Sequence, residues 1–140
     1  MNEIQENPGS FEKLKPGFDQ LREAQLADPM PGLETRRDRL QRLLKGLEEC
    51  EEAFTQAISK DFGQRSAFET ANYDITVTLA DIKYQIRNLA RWMRIRKRSV
   101  PLHLIPGRAR IVPQPLGVVG VISPWNFPVF LSLSPVAGAI

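Results

Sequence analysis

The sequence predicts an α/β fold in which long helices and a β-hairpin lead into a buried strand of a parallel sheet. Three observations carry this reading. Apolar residues recur at helical spacing between Leu40 and Met93, and a Pro106-Gly107 pair separates two short extended runs. The stretch Leu116–Ile122, LGVVGVI, holds only apolar residues and glycine and does not alternate. That is the pattern of a strand covered on both faces, as in a sheet with helices on either side. A helix would lose ~1 kcal/mol for each of Gly117 and Gly120 in its interior.

Taken in order, residues 1–17 hold two prolines, two glycines and mixed charge, and read as a poorly ordered lead-in. Phe18, Leu21 and Leu26 then suit a short helix stopped by Pro29 and Pro31. Thr35 and Asp38 have capping-box spacing ahead of the stripe Leu40, Leu43, Leu44, Leu47, Cys50, Phe54, Ala57 and Ile58. Cys50 is thereby expected in the core. Gly63 suits the left-handed position after the helix. Ser66 with Glu69 forms a second capping box, opening a long helix with the stripe Phe68, Ala71, Ile75, Leu79, Ile82, Ile86, Leu89 and Met93. Leu102–Ile105 and Arg108–Val112 read as paired strands around Pro106-Gly107. Pro113 and Pro115 lead into Leu116–Ile122, after which come a loop bracketed by Pro124 and Pro128 and the start of a further helix. The expected organisation is a lead-in (1–32), an antiparallel helical pair (33–100), a hairpin (101–114) and the start of a sheet domain (115–140).

Composition narrows the class. With 42% hydrophobic and 25% charged residues in 140, the chain has a globular balance and suits one domain or part of a larger one. A single cysteine excludes an internal disulfide and fits a reducing compartment. The polar, acidic start MNEIQENPGS is unlike a secretory signal, and no apolar run reaches the ~18 residues of a membrane span. The expectation is a cytoplasmic protein with no membrane partner. Charge is uneven: all 16 acids lie at or before Asp81 with ten of the 19 cations, a balance of −6, and the remaining nine cations follow without an acid. Such asymmetry suits a nucleic-acid or membrane partner, or packing against an acidic segment.

The string PLGVVGVISPWNFP, residues 115–128, resembles the aldehyde dehydrogenase superfamily, in which a PLGVV strand precedes a P-W-N-[FY]-P loop. RSVPLHLIPGRARIVPQPLGVVG resembles most the branch containing coniferyl aldehyde dehydrogenases. The resemblance runs from about Leu33 to Ile140. It implies that Leu116–Ile122 is the first strand of a Rossmann-like nucleotide-binding domain, present here incompletely. It also implies an NAD- or NADP-dependent oxidation of an aldehyde, aromatic and coniferyl-aldehyde-like, to the acid. Asn126 matches the asparagine whose amide helps form the oxyanion hole. Ile122, Ser123, Pro124 and Trp125 match the segment lining the cofactor groove. The catalytic cysteine, the glutamate that activates water and the glycine-rich cofactor turn belong to segments beyond residue 140. Cys50, in LEECEEAF, does not match the nucleophile. The hairpin Leu102–Val112 resembles the family's oligomerisation element, implying a homodimer or homotetramer of the whole enzyme. The 140 residues are accordingly expected to be an N-terminal part, inactive alone.

Plainer readings stand beside these. Asn126, just before a proline-containing first helical turn, also suits an N-cap. Trp125 suits a packing aromatic as well as a substrate contact, and Trp92 and Met93 suit packing. His103 has no cysteine or carboxylate at ligand spacing, so no metal site is expected. The cluster Arg91, Arg94, Arg96, Lys97 and Arg98 suits phosphate binding, but no nucleic-acid module surrounds it, and cations favour a helix C-terminus. The expectation is no nucleic-acid partner. The rival function is a non-catalytic helical interaction module, or a degenerate fragment, that keeps an enzyme's ancestral sequence.

Overall fold

The structure, a computed structural model, describes residues 8–140, so residues 1–7 of the expected lead-in lie outside it. The described residues form two compact units, one joining 8–31 to 114–120 and the other comprising 32–113 and 121–140.

In the first unit the described part of the lead-in, residues 8–17, is helical rather than unordered: α1 runs from Pro8 to Ala27 with Pro16 inside it. Leu14, Phe18, Leu21 and Leu26 on this helix are all exposed. Its companion segment 114–120 is not a strand. Gly117 has φ +95, a left-handed conformation that interrupts any extended run, and Leu116 is 93% exposed. The expected strand Leu116–Ile122 is therefore not formed among the described residues. A parallel strand is stable only with hydrogen-bonded neighbours and cover on its faces. The described residues contain a single two-stranded sheet, and it is antiparallel.

The second unit is helical. α2 spans Leu33–Glu49 and α3 spans Glu51–Asp61. The expected single helix is thus broken at Cys50 (φ −100, ψ 5), and its start lies three residues earlier, with Gly32 rather than Thr35 as N-cap and Thr35 inside the first turn. Glu48, Glu49, Glu51 and Glu52 would form like-charged i,i+3 and i,i+4 pairs on a continuous helix, each unfavourable by a few tenths of a kcal/mol. The break leaves Cys50 exposed rather than in the core. Gly63, at φ +63, takes the left-handed position after α3, and Gln64 follows it with φ +97.

The long helix begins where expected, with Ser66 as N-cap, but Ser66 makes no side-chain capping bond. Glu69 pairs instead with Arg65. A short α4 (Ala67–Thr70) passes through a π turn, Ala71–Ile75, into α5 (Thr76–Trp92). Phe68, the first residue of the expected stripe, is exposed, whereas Ile75, Ile82 and Leu89 are buried. They join Leu40 and Leu47 of α2, Ile58 of α3, and Val129 and Ala137 of α6 (Pro128–Ala139) in one core cluster. Met93 packs against this cluster, and the Trp92 ring lies tilted against Tyr84 with centroids 5.8 Å apart.

The hairpin uses different residues from those expected. β1 is Arg96–Arg98, from the basic cluster, and it pairs antiparallel with β2, Ala109–Ile111, in the register Arg96 to Ile111. Leu102–Leu104 forms a 3-10 turn within the connection, and His103 is exposed on it. The sequence pattern located the second strand and the turn region. Its partner was hidden because three consecutive cations do not alternate as a half-buried strand does.

Candidate functional site

The loop before α6 places the residues singled out in the sequence. Ile122 is fully exposed and Trp125 is 82% exposed, so Trp125 does not serve as a packing aromatic here. The Ser123 and Ser132 hydroxyls lie 2.6 Å apart, which ties the start of the loop to the first turns of α6. Pro124 is exposed between them. Asn126 is not the N-cap of α6. That position is held by Phe127 (φ −134, ψ 75), with Pro128 at the first helical position, where its missing N–H costs nothing. The Asn126 carboxamide is solvent-facing and makes no hydrogen bond among the described residues, whereas its main-chain carbonyl is held by Arg65.

Arg65 is the residue that sequence reasoning missed. Its Nη1 donates to the Asn126 carbonyl at 2.8 Å, and its guanidinium sits 5.1 Å from the ring centroids of both Phe62 and Phe127. Nη2 lies 3.4 Å from Glu69 Oε1, and the side chain is only 6% exposed. A guanidinium held over aromatic faces away from water gains about 2 kcal/mol or more, against about 0.5–1 at an exposed site. Gly63, Gln64 and Glu69 complete the wall of the shallow depression these residues line with Asn126. A signal for Arg65 existed in the sequence: it is the one cation between Lys60 and Lys83, directly after a left-handed turn and flanked by Phe62 and Phe68.

A second group of missed residues orients α6. Asp74, in the π turn, is fully buried, and its Oδ1 accepts the Phe130 N–H at 2.6 Å. Phe130 is the third residue of α6, so a carboxylate from another helix caps that N-terminus and favours its dipole. Further along α5, Ser134 Oγ donates to Asp81 Oδ2 at 2.5 Å. Gln85 Nε2 donates to the same oxygen at 2.7 Å and to the Ser134 carbonyl at 3.3 Å. Thr70, Asp74, Thr78 and Gln85 recur at helical spacing, which in sequence reads as a solvated face, yet all four are buried. Removing the remote cap should show directly in stability. Asp74→Ala is expected to destabilise the chain by ~1–2 kcal/mol in urea unfolding, with Asp74→Asn recovering part of the loss because its oxygen still accepts the Phe130 N–H.

The fold and this loop together define a class of protein. The structure matches one described as the substrate-bound state of Staphylococcus aureus AldH with a TM-score of 0.83 at 25% identity, over 99% of this chain and 28% of that one. The model described as the aldehyde dehydrogenase family matches residues 22–140, and the chain belongs to that family. It is 40% identical over 137 residues to the probable coniferyl aldehyde dehydrogenase of Pseudomonas aeruginosa, covering 98% of this chain and 29% of that protein. It is 41% identical over 132 residues to the coniferyl aldehyde dehydrogenase of Pseudomonas sp. (strain HR199 / DSM 7063), covering 94% of this chain and 27% of that protein. The chain therefore spans less than a third of the length of these relatives. The resemblance read in PLGVVGVISPWNFP, including its coniferyl branch, agrees with these matches.

Proposed function

We propose that this chain is the N-terminal part of an NAD- or NADP-dependent aldehyde dehydrogenase acting on an aromatic, coniferyl-type aldehyde, and that Asn126 is an oxyanion donor. The observation that carries this is the division of labour at Asn126: the main chain is anchored through Arg65, while the carboxamide is left free to donate. As a thiolate attacks an aldehyde, negative charge grows on the carbonyl oxygen. A neutral amide fixed beside that oxygen stabilises the charge without changing its own protonation. Anchoring the loop keeps the donor aimed and lowers the reorganisation needed in the transition state.

The exposed segment Ile122–Trp125 fits one wall of a cofactor groove, offering the Ile122 side chain and the Trp125 ring to a flat apolar face. Bound NAD or NADP would supply the hydride acceptor. Ser123, held by Ser132, would keep that wall in place. The nucleophile is not Cys50, the sole cysteine, which is exposed at the break between α2 and α3. We assign the thiolate and the water-activating carboxylate to sequence outside these 140 residues. Exposed Leu102, Leu104, Ile105, Ile111 and Val112 around the hairpin support its assignment to subunit contact in a homodimer or homotetramer.

The test has two arms. The 140-residue chain alone is expected to produce no reduced nicotinamide from coniferyl aldehyde with either cofactor. A chimera in which it replaces the matching part of the Pseudomonas sp. enzyme is expected to oxidise that aldehyde. Turnover by the chain alone, or a folded but inactive chimera, would overturn the assignment and favour a helical interaction module.

A further inference from the structure

We propose that Arg65 is a positioning residue for the Asn126 loop, acting as a planar clamp that sets the direction of the carboxamide through the main chain. The inference rests on the reading of Asn126 as oxyanion donor. Four contacts converge on one guanidinium: the ring of Phe62 just after α3, the ring of Phe127 after Asn126, the Asn126 carbonyl at 2.8 Å and Glu69 Oε1 at 3.4 Å. Phe127 and the Asn126 carbonyl flank the same peptide unit, so the guanidinium holds both the plane and the rotation of that peptide. Arg65 Nε is buried and unpartnered among the described residues, and Glu69, which holds Nη2, is half exposed. An unsatisfied buried donor is a cost that a residue serving only to solubilise or cap would not carry. Lysine cannot replace the arrangement: its ammonium is a compact, strongly hydrated point charge, whereas the guanidinium lies over both rings and donates to the Asn126 carbonyl at the same time.

The test uses the intact enzyme carrying this chain, with kcat and both KM values measured for Arg65→Lys and Arg65→Ala. Misdirection of the donor should lower kcat ~10–10²-fold in both variants while the cofactor KM stays nearly constant. Ethylguanidinium should restore part of the lost kcat in Arg65→Ala, and ethylammonium should not. A wild-type kcat in Arg65→Lys, a defect confined to KM, or equal rescue by the two cations would overturn the proposal. Should Arg65→Ala fail to fold, the kcat of Arg65→Lys decides alone. The Asn126→Ala variant separates the two levels. If it leaves kcat unchanged, the oxyanion reading itself fails; if it lowers kcat while Arg65→Lys does not, only the clamp fails.

Discussion

Asn126→Ala is expected to lower kcat of the intact enzyme by ~10²–10³-fold, the usual consequence of losing one preorganised oxyanion donor. The carboxamide has no hydrogen bond among the described residues to lose, so the substitution removes a donor without breaking the loop. Thermal stability should therefore hold while turnover collapses. The cofactor KM should stay nearly constant, because an interaction made only in the transition state changes kcat rather than ground-state binding. Asn126→Asp should be at least as damaging: it keeps the shape but faces the developing oxyanion with a carboxylate that accepts rather than donates. Steady-state kinetics on folded protein checks both variants. A kcat within a factor of about two of wild type for Asn126→Ala would remove Asn126 from the reaction.

Ile82→Ala is the largest expected loss of stability. Ile82 is fully buried near the middle of α5, in the cluster that joins Leu40 and Leu47 of α2 to Val129 and Ala137 of α6. Truncation removes the transfer energy of the lost methyl and methylene groups and leaves a cavity where three helices meet. The cost is about 2–5 kcal/mol, with Ile82→Val costing about 0.5–1.5. Urea unfolding of the pair gives the series. A loss below about 1 kcal/mol for Ile82→Ala would mean that the helices collapse around the void and that the packing does not fix α6. This bears on the site, because α6 begins two residues after Asn126.

The stripe Ile75, Ile82 and Leu89 was legible from spacing alone, because apolar residues two helical turns apart share one face, and that face is buried. Gly63 was legible for a similar reason, since few other residues take the left-handed turn after a helix. The loop PWNFP was legible as a string of infrequent residues, and the geometry overturned only the plainer reading of Asn126 as an N-cap, since Phe127 caps α6. What failed were readings that depend on neighbours. Cys50 fits an apolar stripe but lies exposed at a helix break, and Arg96–Arg98 reads as a basic cluster but pairs as an edge of the sheet. Leu116–Ile122 has the composition of a buried strand, but composition supplies neither hydrogen-bonding partners nor cover.

By itself, then, the sequence determined the long helix after Ser66, the buried residues Ile75, Ile82 and Leu89 on it, and the membership in a family, because these follow from local periodicity and from a rare string of residues. Only the tertiary structure decided how the site is held. The clamp of Arg65 on the Asn126 carbonyl and the cap of Asp74 on α6 join residues 61 and 56 positions apart. Interactions of that range leave no periodic trace. A guanidinium and a carboxylate look the same in sequence whether solvated or buried, and folding alone selects which of them are taken out of water and aimed.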